Sequence, residues 1–269
     1  MRERNVWVYA LGFALSVSLA ACGGSQETSS TSAGAGAPAG APAGMKVDTA
    51  TAGSVTGSVV VDGVLPKNQV IKMNADPVCM KEATGEQLQE TYMVGSDGKT
   101  LGDVFVYVKD GLGNYVFDTP TEPAHIDQKG CRYHPHVFGV RVGQPIEISN
   151  SDPTLHNIHA LPKENQEFNT AQPLQNMKIT HTFDKKEVMV PFKCEVHGWM
   201  NSFVGVLDHP YFAVTSTDGK FELKDLPAGT YTVEAWHEKL GTQSQSVTIA
   251  EKETKDITFT FKAPAAAAN

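Results

Sequence analysis

The chain of 269 residues is short of basic side chains, of tryptophan and of cysteine, and past its first two dozen residues it carries no long apolar run. Lysine and arginine number 22 against 30 aspartates and glutamates, a net charge of −8, which excludes nucleic acid as a partner for the surface as a whole. Charged residues make up 19% and hydrophobic residues 41%, so the chain is neither collagenous nor wholly disordered and can bury the cores of one medium or two small domains. Gly-x-Ser-x-Gly, His-Glu-x-x-His and a phosphate-cradling glycine loop are all missing, and acidic pairs such as Glu164 and Glu167 fall in a polar loop. The chain is therefore not expected to be an enzyme. Sustained helical periodicity is confined to Lys81 to Gln89, and the rest has the texture of an all-β protein.

At the N-terminus Arg2 and Arg4 precede an apolar stretch from Val6 to Ala21, too short and too interrupted by Gly and Ser for a comfortable membrane span. It reads as an export signal. The sequence Leu19-Ala20-Ala21-Cys22, followed by Gly23-Gly24, resembles the bacterial lipoprotein signal. The resemblance implies a signal peptide over 1–21 and an acylated Cys22 that holds the exported protein to a membrane, at the periplasmic face of the outer membrane or at the cell surface. Glycine rather than aspartate at 23 leans towards the outer membrane. Residues 22–48 form a Gly, Ala, Ser, Thr and Pro tether, which as a flexible coil holds the folded part on the order of 25 Å from the anchor.

With Cys22 acylated, Cys79, Cys131 and Cys194 remain in an oxidising compartment, an odd count that leaves one thiol over. The expected arrangement is a Cys79 to Cys131 disulfide with Cys194 reserved for chemistry; the other two pairings stay open on sequence.

From Thr49 onward, short runs of β-branched and aromatic residues are punctuated by turn signals. Strands are expected at Thr56 to Val61 and Asp103 to Val108, ended by Asp62-Gly63 and Asp110-Gly111, whose residues tolerate positive φ. Phe138, Val140 and Val142 alternate with Gly139 and Arg141, and beyond Gly143 to Pro145 so do Ile146 and Ile148 with Glu147 and Ser149, which predicts two neighbouring strands. Lys178 to Phe183 and Glu187 to Lys193 form another expected pair around Asp184-Lys185-Lys186, the second strand delivering the chain to Cys194.

Beyond residue 208 the same alternation returns in Phe221 and Leu223, in Tyr231, Val233 and Ala235, and in Ile257, Phe259 and Phe261. The stretch from Asp218 to Val233, DGKFELKDLPAGTYTV, resembles the carboxypeptidase regulatory-like, or transthyretin-like, sandwich module. That resemblance implies a small β-module over 209–263 that packs on or spaces a first domain over 49–208, with a disordered tail at 264–269.

Between residues 150 and 200 lies a set of side chains suited to a metal. Cys194-Glu-Val-His197-Gly-Trp-Met200 offers a thiolate, an imidazole and a thioether, and Asn150-Ser-Asp152-Pro-Thr-Leu-His156-Asn157 offers a second imidazole. Thiolate and thioether suit Cu(I), imidazole suits both copper oxidation states, and a trigonal His, His, Cys plane with a weak axial Met is the geometry of electron-transfer copper. Zinc is disfavoured, since a thioether is a poor ligand for it and structural zinc usually takes two or more thiolates.

These two motifs in this order resemble the type 1 copper proteins of the cupredoxin group, with a ligand loop closest to the amicyanin type. The resemblance spans roughly residues 100–207 and implies a Greek-key β-sandwich holding one mononuclear copper through His156, Cys194, His197 and Met200. It further implies that Asn157 ties the two ligand loops by hydrogen bonds. Electrons would pass to a redox partner protein through an apolar patch near His197, here Trp199, Met200 and Leu161-Pro162. Glu195 departs from the family pattern: a carboxylate beside the thiolate lowers the potential or competes as a harder axial ligand in a red copper site. His159, three residues after His156, faces the other side of an extended strand and is read as a surface or outer histidine. His134 and His136 share a face and, with His125, are a weaker candidate for a second metal. The competing reading is a structural or ligand-binding surface lipoprotein, or one that stores copper.

Overall fold

In β1 (Gly53–Asp62) every second residue from Gly53 to Val61 is buried, the period-two pattern of a strand with one face on a core. The computed structural model describes residues 44–265; the export signal, Cys22, most of the expected tether and the last four residues lie outside them. Among the described residues no helix is long and apolar enough to cross a membrane.

After β1 come α1 (Pro77–Glu82), β2 (Phe105–Asp110), β3 (Ala124–Lys129), β4 (Arg132–His134), β5 (Val137–Arg141), β6 (Ile146–Asn150) and β7 (His156–Ala160). The chain continues through β8 (Phe168–Gln172), β9 (Met177–His181), β10 (Glu187–Lys193), β11 (Asn201–Leu207) and β12 (Phe212–Val214). It closes with β13 (Lys220–Leu226), β14 (Gly229–His237), β15 (Gly241–Ile249) and β16 (Thr254–Lys262).

The protein is all-β, and its strands form four sheets that pack as two sandwiches. The first sandwich faces the sheet β4-β3-β6-β9 against the sheet β5-β11-β10-β7-β8. Its core joins Ile126, Tyr133, Ile146 and Ile148 from one sheet to Phe138, Ile158, Phe192 and Val204 from the other. The second sandwich faces β13-β1-β16 against β12-β2-β14-β15, across a core of Val55, Phe221 and Phe259 with Val106, Tyr231 and Val247.

Sheet pairing therefore runs across the boundary expected at residue 208. β1 lies parallel to β16, from Ser54 beside Thr254 to Asp62 beside Lys262, and antiparallel to β13, while β2 pairs with β14. The second sandwich thus draws strands from both ends of the described chain, and the first is made from the stretch between β3 and β11. Two expected hairpins are also corrected. β5 pairs with β11 while β6 pairs with β3 and β9, and β9 pairs with β6 while β10 pairs with β7 and β11. In both cases the turn carries the chain across the core to the facing sheet, which alternation within each strand cannot reveal. The helix is corrected as well: α1 begins at Pro77, before Lys81, and ends at Glu82.

The sandwiches meet through a third apolar cluster of Phe105, Tyr107, Val137, Met189 and Leu207. β2 is buried on both faces, which is why Phe105 to Val108 reads as a continuous apolar run. Gly139 and Gly205 sit opposite each other in β5 and β11. A Cβ on Gly205 would fall 2.3 Å from the Phe105 ring, and one on Gly139 2.4 Å from the Phe212 ring, so the two glycines open the slot into which those stacked rings fit.

Asp103, with φ of 55°, is half-buried near His136, Glu90 and Glu238. Burial pushes its carboxyl up, against the attraction of His136 and with repulsion from Glu90 and Glu238, to about 6. An unfolded aspartate ionises near 3.9, so this group favours the folded state below that pH and loses the advantage as pH rises through about 6. Asp103→Asn, which tolerates the same positive φ, is expected to be more stable than wild type at pH 7.5 by up to about 3 kcal/mol, with the difference vanishing towards pH 4. Urea midpoints at the two pH values check this, and a less stable variant at pH 7.5 would refute it.

Candidate metal centre

The loop between β6 and β7 is built by two side chains. Asn150 Nδ2 donates to Thr154 O at 2.9 Å, and Asn150 Oδ1 accepts from Asp152 N at 3.0 Å, which folds the turn back on itself. The turn presents Asp152, 3% exposed, whose Oδ1 accepts from Gly130 N at 2.8 Å and whose Oδ2 accepts from Cys131 N at 2.7 Å. The same Oδ2 meets His156 Nε2 at 2.8 Å.

The second candidate segment follows β10 and closes on itself before β11. Cys194 N donates to Met200 O at 3.2 Å, Met200 N to His197 O at 2.9 Å, and His197 N to Cys194 Sγ at 3.4 Å. His197 Nε2 faces Asp76 Oδ2 at 2.9 Å. Each imidazole thus turns Nε2 to a carboxylate and Nδ1 inward. The two Nδ1 atoms are 3.0 Å apart, and His197 Nδ1 lies 3.8 Å from Cys194 Sγ.

These atoms fit a metal. With Nε2–H donated to a carboxylate, a neutral imidazole leaves Nδ1 bare, and two bare nitrogens facing one another beside a thiolate repel unless a cation or proton lies between them. One donor atom from each of His156, Cys194 and His197 falls within 4.8 Å of the others, and all three residues are buried. Metal bonds of roughly 2.0 Å to nitrogen and 2.3 Å to sulfur span such separations from a single ion.

The charges agree with this. Burial pushes the Cys194 thiol up, but hydrogen bonds from His156, from His197 and from the backbone N–H groups of His197 and Val196 outweigh it and bring it down to about 6. Burial works against a charged His156, yet Asp152 and Cys194 raise it to about 8, so in the metal-free protein a proton takes the place between the two Nδ1 atoms, and a bound metal would displace it. A thiol already disposed to ionise is the form that binds a metal.

Met200 is 2% exposed and packs in the same apolar cluster as Cys194 and Trp199. Asn157 Oδ1 accepts from Glu195 N at 3.1 Å, joining β7 to the ligand loop. Glu195 is turned to the outside of the sheet, where its carboxylate meets His159 Nδ1 at 2.5 Å and Lys193 Nζ at 2.9 Å. His159 also reaches Glu167, at 2.6 Å.

The expected apolar patch is not brought together. Leu161 N bonds to Pro191 O at 3.0 Å, three residues before Cys194, which places Leu161 and Pro162 along the sheet away from the loop. Trp199 is half-buried, its indole N–H donating to Cys131 O at 2.9 Å, and His197 itself is 2% exposed. Nor do the other histidines gather: His136 pairs with Glu238 at 2.8 Å, His125 faces Glu147 at 3.3 Å, and His134 is exposed. Cys79 and Cys131 form the expected disulfide.

Two carboxylates escaped the sequence reading. Asp152 lies inside the upstream motif without an assigned role. Asp76 was signalled by Asp76-Pro77, an N-cap followed by proline at the first helical position.

A buried His, His, Cys cluster on a β-sandwich, joined to a second sandwich, is thus the frame into which the comparisons fall. Residues 204–262 match the family model of the carboxypeptidase regulatory-like domain. Among solved structures, a purple cupredoxin from Nitrosopumilus maritimus is 23% identical over 31% of this chain and 98% of its own, with a TM-score of 0.27. A reduced Cu(I) amicyanin variant is 20% identical over 33% of this chain and 86% of its own, with a TM-score of 0.29. A copper-containing nitrite reductase from Thermus scotoductus is 19% identical over 36% of this chain, which spans only 25% of that enzyme, with a TM-score of 0.31. No curated protein matches the chain.

Proposed function

We propose that the protein is a cupredoxin-like copper protein that carries single electrons, anchored to a membrane through an acylated Cys22. The observation that carries this reading is the convergence of His156 Nδ1, His197 Nδ1 and Cys194 Sγ in one buried cluster, with both imidazoles anchored behind by carboxylates. Zinc explains a thiolate and two imidazoles but gives no use to a thioether, whereas Met200 in the loop completes a set that suits copper. Bound copper supplies a one-electron couple between Cu(II) and Cu(I).

The residues around it serve that couple by staying still. Asp152 fixes His156 from behind, Asp76 fixes His197, and Asn157 pins the start of the ligand loop. A donor set held this firmly has little to rearrange on electron transfer. Met80, Leu155 and Val196, next in sequence to Cys79, His156 and His197, are exposed apolar side chains.

Titration with Cu(II) tests the reading. An intense thiolate-to-copper absorption is expected to saturate at one equivalent, to bleach with a one-electron reductant, to return on reoxidation, and to be missing in Cys194→Ser. A colourless protein would favour the structural or copper-storing alternative.

A further inference from the structure

The connection between β1 and β2 starts and ends in the second sandwich, yet it lies over the metal cluster of the first. Asp76 is the residue that makes the contact. Its Oδ1 caps α1, accepting from Val78 N at 2.7 Å and from Cys79 N at 3.3 Å. Its Oδ2 faces the cluster, accepting from Thr154 Oγ1 at 3.1 Å and meeting His197 Nε2 at 2.9 Å. Cys79 Sγ lies 3.5 Å from the same nitrogen, and the Cys79–Cys131 disulfide ties α1 to the loop that Asp152 holds. The outer edge of the His197 ring is closed by a carboxylate and a disulfide.

Four hydrogen bonds fix this one carboxylate. A carboxylate is an anion at neutral pH, and every one of these four bonds is donated to it. Capping a six-residue helix needs only Oδ1, and Ser, Thr or Asn would cap equally well. None of them would put a negative charge against His197.

We propose that Asp76 is a positioning residue for the copper ligand His197, one that holds Nδ1 towards Cys194 and lowers the reduction potential of the centre. The proposal rests on the copper reading above. A carboxylate that accepts from the far nitrogen of a ligating imidazole fixes its tautomer and raises its basicity. A fixed negative charge in a poorly screened site also favours the more highly charged Cu(II) state over Cu(I).

The test compares the full chain with Asp76→Asn and Asp76→Ala. Asparagine keeps the helix cap and an acceptor but removes the charge; alanine removes all three. At an applied potential that half-reduces the wild type, the Cu(II) to Cu(I) ratio in Asp76→Asn is expected to fall about tenfold, a midpoint rise of about 59 mV for one electron. Its absorption band should be unchanged. Asp76→Ala is expected to rise further and to release Cu(I) to a chelator at least about tenfold faster. A metal-free readout stands beside these: nitrogen NMR of the apo-protein at pH 8 should show His197 protonated at Nε2 in the wild type and a mixture of tautomers in Asp76→Ala.

An Asp76→Asn protein that melts earlier at an unchanged midpoint would make Asp76 a helix cap only and overturn the proposal. If the wild type shows no charge-transfer band, the copper reading fails first. The apo-protein spectra then decide the positioning role alone, and an unchanged His197 tautomer in Asp76→Ala would refute it.

Discussion

Removing the Cys79–Cys131 disulfide, through Cys79→Ala with Cys131→Ala, is expected to lower the unfolding free energy by about 4 kcal/mol. The bridge spans a sequence separation of 52 residues, and in the chain-entropy account that loop sets the size of the effect. It joins α1 to the loop between β3 and β4, so it fastens a connection of the second sandwich onto the core of the first, where both cysteines are fully buried. Urea unfolding of oxidised wild type and double variant measures the loss. A difference below about 1 kcal/mol would mean that the unfolded chain is already restrained or that α1 is held by its other contacts alone.

Asp152→Ala is expected to cost about 3–5 kcal/mol in the metal-free protein. One carboxylate there serves two backbone donors and an imidazole, at 2.8 Å to Gly130 N, 2.7 Å to Cys131 N and 2.8 Å to His156 Nε2. Alanine leaves all three without an acceptor in a site that water scarcely reaches. Burial alone would raise the Asp152 pKa, but hydrogen bonds from His156, Cys131 and Gly130 outweigh it and hold it below the usual carboxylate range. A lowered pKa gives stability that is fully present above the unfolded value, near 3.9, and is lost as pH falls through the folded one. The gap between wild type and Asp152→Ala should therefore narrow on acidification. A gap that holds constant down to pH 3 would contradict the assignment. Because Cys131 belongs to both the disulfide and the Asp152 network, the two losses are expected to combine less than additively, which a double-mutant cycle measures.

Local chemistry was the legible part of the chain. Alternation in β13 and β16 and the turn signals around them place those strands by their own residues, because each has one buried and one wetted face. The loop from Cys194 to Met200 is legible as a unit for a similar reason: Cys194, His197 and Met200 lie within seven residues, and the closing hydrogen bonds are made among themselves. Pairing at long range was not. Val55 beside Lys255 and Val59 beside Phe259 are parallel neighbours some 200 positions apart, and no local pattern announces them. Gly143 to Pro145 and Asp184 to Lys186 signal turns, but a turn residue does not say whether the chain returns to its own sheet or crosses to the facing one. The closure over His197 was hidden for the same reason, since Asp76 and His197 are 121 residues apart and meet only when a loop of one sandwich lies over the other.

The most direct test of the central claim is copper-edge X-ray absorption of the Cu(II)-loaded chain beside Cys194→Ser. The account predicts an inner shell of two imidazole nitrogens and one sulfur in the wild type, with that sulfur lost in the variant. A shell without sulfur, or one that Cys194→Ser leaves unchanged, would contradict it.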